Sequence, residues 1–188
     1  MGAKLRDALA AWRPGFGLPG AVYRDAEHYE QEIRQIFLKS WLYVGHQSQI
    51  PASGDYFLFE MAGESVIVAR NNAGQINAML NVCRHRGSRI CDQAQGHEAR
   101  FVCRYHGWTY SLDGSLRAAS QTPPGFDRAL YGLRRVHTRV FAGLIFINFD
   151  ANPVPFDAIA ADMAAPLAPY QLEHSKIAHR QNYPIASN

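Results

Sequence analysis

The sequence is short of cysteine, of long apolar runs and of excess charge of either sign, and each shortage removes a class of protein. Three cysteines in 188 residues are too few, and odd in number, for a disulfide framework; without an export signal they fit a reducing compartment where thiols stay free for metal or catalysis. No apolar run is long enough to span a bilayer. The opening MGAKLRDALAAWRPGFGLPG lacks the apolar core and cleavage site of a secretory leader, and no Ser or Thr stands where a myristoylation pattern wants one. A cytoplasmic protein with no membrane partner is expected. Nineteen Lys and Arg against sixteen Asp and Glu leave a net charge of +3. The aromatics sit in strand-like runs and do not alternate with basic residues, so no nucleic-acid surface is expected. What is present is an ordinary globular mixture, 47% hydrophobic and 19% charged, sized for one domain with appendages.

The chain divides by pattern. In RDAEHYEQEIRQIFLKS, Asp25 offers an N-cap and Tyr29, Ile33, Ile36 and Phe37 follow at i, i+4, i+7 and i+8. This predicts an amphipathic helix that docks on another surface. From Trp41 the character changes to short apolar runs broken by turn residues: WLYVGH, DYFLFEMA, SVIVAR, INAMLNV, ARFVC, WTYSL and AGLIFINF. These read as strands. NNAGQ and Asp113-Gly114 lie between such runs as hairpin turns, because Asn, Asp and Gly tolerate positive φ. No helical pattern alternates with the strands. The expected fold is mainly β, an antiparallel sandwich or barrel, with an N-terminal amphipathic helix. Residues 1–40 form the arm and helix, 41–150 the β domain and 151–188 a linker. In that linker Pro153, Pro155, Pro166 and Pro169 interrupt a short helical pattern and IAHRQNYPI reads as a strand-like tail.

One stretch carries chemistry: NVCRHRGSRICDQAQGHEARFVCRYHGW, from Asn81 to Trp108. Cys83 and His85 are separated by one residue and Cys103 and His106 by two, with residues 86–102 between the pairs. The four could hold zinc, hold an iron–sulfur cluster, act as a thiol nucleophile with a histidine base, or simply pack. Structural zinc loops usually pair like ligands, Cys with Cys and His with His. Here each loop delivers one sulfur and one nitrogen. Such mixed pairs suit a two-iron cluster with thiolates on one iron and imidazoles on the other. Spacing alone leaves the choice open.

The motifs Cys83-Arg-His85-Arg-Gly and Cys103-Arg-Tyr-His106-Gly-Trp resemble the signatures of the Rieske domain in the large subunit of Rieske-type non-haem iron oxygenases. The similarity runs from IFLKSWLYVGHQSQIPASGDYF through GWTYSLDGSL to GLIFINF, roughly residues 20 to 150. It implies a Rieske 2Fe-2S cluster, with Cys83 and Cys103 on the buried iron and His85 and His106 on the outer one. It also implies electrons arriving from a reductase or ferredoxin and passing to a mononuclear Fe(II) for O2-dependent hydroxylation or N-demethylation. It further implies a homotrimer for the full-length protein. Residues 151–188 would then be a linker and the start of a truncated catalytic domain, with Asn188 opening the continuation toward the iron ligands. GESVIVAR and NVCRHRGSRIC look most like the branch acting on quaternary amines such as glycine betaine or stachydrine. Alternatives are a stand-alone Rieske ferredoxin and a zinc-bound interaction module.

Within the resemblance, Trp108 and Tyr105 pack over the cluster and control water access, and Arg86 holds the two loops together. Arg84, Arg86, Arg89, Arg100 and Arg104 form a basic collar that would dock an acidic electron donor or be merely solvated. One departure from that family stands out, together with two contrasts with respiratory Rieske proteins. Arg104 occupies the usual proline position, and Ser88 and Tyr105 occupy the positions where respiratory Rieske proteins place a bracing disulfide. Gly-Trp follows His106 where a serine would donate to a bridging sulfide, so the potential is expected toward the low end of about −150 to +300 mV. Cys91 has no histidine partner and reads as a packed apolar residue. His174 and His179 are spaced like two iron ligands, but Gln171 stands where a carboxylate is needed, so both read as exposed polar residues.

Overall fold

Four apolar residues in a row, Val66 to Ala69, give no alternation of inward and outward positions, and their burial on both faces of a sheet explains why. The structure, a computed structural model, describes residues 3–181 and 183–186. Its strands are β1 (Leu42–His46), β2 (Asp55–Met61), β3 (Glu64–Arg70), β4 (Ile76–Leu80), β5 (Gln95–His97), β6 (Phe101–Val102), β7 (Thr109–Tyr110), β8 (Leu116–Ala118), β9 (Arg135–Phe141) and β10 (Leu144–Asn148). A seven-stranded sheet runs β1-β10-β9-β4-β3-β2-β5 and a three-stranded sheet runs β6-β7-β8. Every pairing is antiparallel, as the turn signals predict.

β3 separates two cores. Val66 and Val68 pack with Ile50, Phe57, Val136, Ile145 and Ile147 on one face. Ile67 and Ala69 face the other way, toward Met79, Phe101, Tyr110 and the thiols of Cys83 and Cys103. Each fully buried aliphatic side chain contributes about 1.5–3 kcal/mol, and the second core places the motif cysteines against the most buried strand. The short sheet closes over them, with Phe101 of β6 set edge-on to Tyr56 of β2 at 5.8 Å between ring centroids.

The expected turns form. Asn71 accepts from Ala73 and Gln75 amides at 3.0 and 2.9 Å, and Asp113 accepts from the Ser115 amide at 3.0 Å. Two others carry no signature that sequence reading would flag. Ala62-Gly63 (φ 51° and 82°) joins β2 to β3, and Ala142-Gly143 (φ 47° and 78°) joins β9 to β10. Both are two-residue turns with left-handed central residues, where Asn-Gly is the usual choice. β9, with sequence RVHTRVF, also escapes the strand reading, because polar residues separate its valines and only Val136 is buried.

The helices are α1 (Ala3–Ala10), α2 (Ala26–Gln35) and α3 (Phe156–Leu167). Asp25 caps α2, accepting the His28 amide at 2.8 Å. Of its apolar stripe Ile33 is partly buried, while Tyr29, Ile36 and Phe37 are exposed, and Phe37 lies in a following 3-10 turn. α1 falls in the stretch read as an arm and is anchored by buried Leu5.

The C-terminal stretch corrects two expectations. Its prolines do not stop α3 from forming: Pro155 is the N-cap residue, and Pro166 sits inside the last turn, where it forgoes the amide bond to residue 162 but leaves little helix beyond it to disrupt. IAHRQNYPI forms no strand over its described residues, since no sheet edge pairs with it; Asn188 lies outside the described residues. Residues 151–174 lie back on β1. The Trp41 indole donates to the Val154 carbonyl at 2.8 Å, and the buried His46 Nε2 lies 2.9 Å from the Leu172 carbonyl. The Ser48 amide donates to His46 Nδ1 at 3.2 Å, so in the neutral ring Nε2 carries the proton and donates. Among the described residues no helix is long and apolar enough to cross a membrane.

Candidate metal centre

Loop 1 (83–88) and loop 2 (103–108) fold alike. The Cys83 amide donates to the Ser88 carbonyl at 2.8 Å and the Gly87 amide to the Cys83 carbonyl at 3.0 Å. The Cys103 amide donates to the Trp108 carbonyl at 2.8 Å and the Gly107 amide to the Cys103 carbonyl at 2.9 Å. Gly87 and Gly107 both have φ 72°, which L side chains rarely adopt. The unequal spacing in the sequence is therefore one turn used twice, with the histidine one place later in loop 2. Tyr105 occupies in loop 2 the position that His85 occupies in loop 1, and Arg86 matches His106.

The turns bring the four motif side chains together in two layers. Cys83 and Cys103 are 2% and 1% exposed. Outside them the rings of His85 and His106 meet edge to face, 4.5 Å between centroids at 71°. Trp108, also buried, stacks on His85 at 4.8 Å and 6°. Tyr105 leans on His106 at 3.8 Å but is 60% exposed, so it covers one ring face without sealing the site from water. Arg86 is exposed and acts on loop 2 through its charge. Desolvation first, then His85 and Arg86, holds the His106 imidazole below its usual pKa, which favours the neutral, ligating form.

Tyr110 is a site residue that the motif reading missed. Its hydroxyl lies 3.2 Å from Cys83 Sγ and accepts the Arg84 amide at 3.1 Å. A backbone N–H can only donate, so the tyrosine's own proton is left for the sulfur. No local pattern marks it, because the sulfur it serves lies 27 residues back along the chain.

Chemistry now separates the four readings. Burial, the largest influence, together with the neighbouring Cys103, pushes the Cys83 thiol up against the opposing pull of Tyr110 and a backbone bond at His85. A buried, protonated thiol bonded to a phenol is poorly set up as a nucleophile. A single tetrahedral ion needs all four donors converging on one point. The pairs instead divide into a sulfur layer and an imidazole layer, as a two-iron cluster requires. His85 Nδ1 is buried with no hydrogen-bond partner. An orphaned buried acceptor is costly, and a metal bond is what would satisfy it.

The remaining candidates lie apart. Arg89 pairs with Glu60 and Arg104 with Asp92 at 3.4 Å, so the collar is partly neutralised and is not a uniform positive ring. Cys91 is buried and its thiol is pushed up to about 12, chiefly by desolvation, as suits a packed residue. His174 and His179 are exposed.

A family model described as the Rieske [2Fe-2S] domain matches residues 40–140. The chain is 39% identical over 177 residues to the glycine betaine monooxygenase oxygenase subunit of Chromohalobacter salexigens, covering 94% of this chain and 40% of the relative. It is 40% identical over 139 residues to the biphenyl 2,3-dioxygenase subunit alpha of Rhodococcus jostii, covering 72% of this chain and 30% of the relative. Among solved structures, the apo form of the quaternary ammonium Rieske monooxygenase CntA superposes with TM-score 0.75 at 30% identity, over 81% of this chain and 45% of that one. Naphthalene 1,2-dioxygenase from Rhodococcus sp. gives 0.76 at 31% identity, over 87% and 38%. The chain spans less than half the length of each of these proteins.

Proposed function

We propose that this chain, which belongs to the Rieske 2Fe-2S domain family, is the electron-transfer part of the oxygenase component of a Rieske non-haem iron oxygenase. Cys83 and Cys103 hold the inner iron and His85 and His106 the outer one. The bound cluster supplies one-electron storage, being neutral with two ferric ions, two sulfides and two thiolates and anionic once reduced. The residues around it prepare the site. Burial keeps water from the thiolates, Tyr110 donates to Cys83 Sγ, and Trp108 fixes the plane of the His85 ring by stacking on it. The paired imidazoles form the outward layer, which is where an electron would enter and leave.

Electrons come from a reductase or ferredoxin and pass to a mononuclear Fe(II) held outside residues 1–188, where O2 is used for hydroxylation or N-demethylation. The full-length protein is a cytoplasmic homotrimer. Its division is an arm and helix over 1–40, the cluster domain over 41–150, and a linker opening a catalytic domain over 151–188. The substrate is a quaternary amine of the glycine betaine kind. The observation favouring that class is the reach of the likeness, 177 residues with the betaine relative against 139 with the biphenyl relative. The relatives are oxygenase subunits and give no support to a stand-alone ferredoxin.

The single observation that carries the cluster assignment is the buried, unpartnered His85 Nδ1 beside a second imidazole and above two buried thiols. Metal and sulfide analysis with visible and EPR spectra tests it. Two irons and two acid-labile sulfides per chain and a rhombic reduced signal are expected; stoichiometric zinc without sulfide would overturn it.

A further inference from the structure

Two residues before Cys83, the side chain of Asn81 is 1% exposed and uses its full hydrogen-bonding capacity. Its Oδ1 accepts the amides of Ile90 and Cys91 at 3.1 and 2.9 Å. Its Nδ2 donates to the Cys91 carbonyl at 2.8 Å and to Ser65 Oγ at 3.0 Å. Two lone pairs and two N–H groups are all that a carboxamide offers. Three of the four bonds go to the backbone just past loop 1, so one side chain ties the chain entering the loop to the chain leaving it. An isolated bridge between Val82 and Arg89 closes the same neck.

The tie continues into the large sheet. Ser65 Oγ donates to Glu60 Oε1 at 3.0 Å, Glu60 pairs with Arg89, and Arg89 Nε returns to the Cys91 carbonyl at 3.1 Å. Asn81, Ser65, Glu60, Arg89 and Cys91 thus form a closed circuit that clamps the neck of loop 1 to the β2–β3 hairpin. No disulfide can do this work, because all three cysteines are free.

We propose that Asn81 is the positioning residue that holds loop 1 in the shape that presents Cys83 and His85 together. It touches neither ligand side chain and acts through the backbone that carries them. This rests on the cluster assignment above. Replacing the carboxamide by a methyl leaves two buried amides, those of Ile90 and Cys91, without acceptors. The neck then relaxes, and His85 is no longer fixed against His106 and Trp108.

The test compares Asn81→Ala with Ser65→Ala in the purified, cluster-loaded protein. Ser65→Ala removes the side-chain link to β3, while the bond from the Asn81 amide to the Ser65 carbonyl at 2.8 Å and the three bonds across the neck remain. Asn81→Ala is expected to shift the reduced EPR g values and to release iron to a chelator roughly tenfold faster, the factor belonging to one lost buried hydrogen bond. Ser65→Ala is expected to lower Tm while keeping wild-type g values and release rate. Wild-type g values and iron release in Asn81→Ala, whatever its Tm, overturn the proposal, as do equal shifts in both variants. If Asn81→Ala does not fold, Asn81→Asp keeps the volume and the bonds from the Ile90 and Cys91 amides but sets a carboxylate oxygen against the Cys91 carbonyl, breaking the third bond across the neck. It should shift the signal in the same direction, and a wild-type signal there also overturns the proposal. Failure of the cluster assignment itself looks different: the unaltered protein shows no rhombic signal at all.

Discussion

Loop 1 and loop 2 make the same turn, with the same pair of backbone hydrogen bonds and a glycine at the same φ, yet they are held in different ways. Loop 1 is tied at its neck by a buried carboxamide and, at its cysteine, by Tyr110 from β7. Loop 2 leans on a surface serine: Ser120 Oγ donates to the His106 carbonyl at 2.8 Å, and its carbonyl accepts the Trp108 indole at 3.3 Å. The shape of a ligand loop is therefore a local matter of turn chemistry. Its rigidity is a tertiary one, and the two loops differ in it.

The comparison can be broken most forcefully at the glycines. Gly87→Ala and Gly107→Ala meet no atom within 4 Å, so each pays conformational strain alone, about 1–2 kcal/mol and ~2–8 °C in Tm. Equal losses by thermal denaturation support one turn used twice; a several-fold difference would break the equivalence. Next in size is Tyr110→Phe, which removes a donor from the loop 1 sulfur and leaves loop 2 alone. A hydrogen bond that favours the reduced cluster by about 1 kcal/mol is worth roughly 40–50 mV for one electron. The midpoint potential should fall by that amount in a spectroelectrochemical titration, and an unchanged potential would show that the hydroxyl does not donate to Cys83.

Ser120→Ala sharpens the contrast in bracing. Its hydroxyl bond is exposed, so the expected cost is about 0.5–1 kcal/mol, and chelator-driven iron release should rise less than in Asn81→Ala. The smallest effect concerns the β2–β5 pairing that leads from one loop to the other. The His97 ring, 2.8 Å away, first and the Ala52 amide second hold the Asp55 carboxyl below its usual value. A depressed carboxyl stabilises the fold above the unfolded pKa of about 3.9 and loses that contribution as pH falls through the lower folded value. Wild type should therefore melt slightly above Asp55→Asn at neutral pH. The gap in Tm should close below about pH 4, and a gap that persists there would assign the effect to packing.

Much of this architecture was legible in the residues. SVIVAR, DYFLFEMA and GLIFINF announce strands by β-branched and aromatic content, and NNAGQ and Asp113-Gly114 announce turns by tolerance of positive φ. Asp25 announces its cap. RVHTRVF escaped because a strand with one buried residue leaves almost no pattern, and the Ala-Gly turns escaped because alanine gives no warning of a left-handed φ. IAHRQNYPI misled for the opposite reason: alternation describes a possible strand, but a strand exists only with a neighbour. Tyr110, Asn81 and Ser120 were silent because their partners lie 27, 10 and 14 residues away.

What the sequence by itself determined is the local chemistry: which segments prefer strand or turn, and a donor set of two thiols and two imidazoles in unlike pairs. Those follow from side-chain sterics and ligand type, which neighbouring residues settle. Only the tertiary structure decided that the unequal spacings are one turn used twice, that the thiols lie beneath the imidazoles, and that a phenol and a carboxamide hold loop 1 while a surface serine holds loop 2. Contacts of that kind exist only once the sheets pair and the two cores close, because hydrogen bonds between distant residues are set by strand register and not by adjacency along the chain.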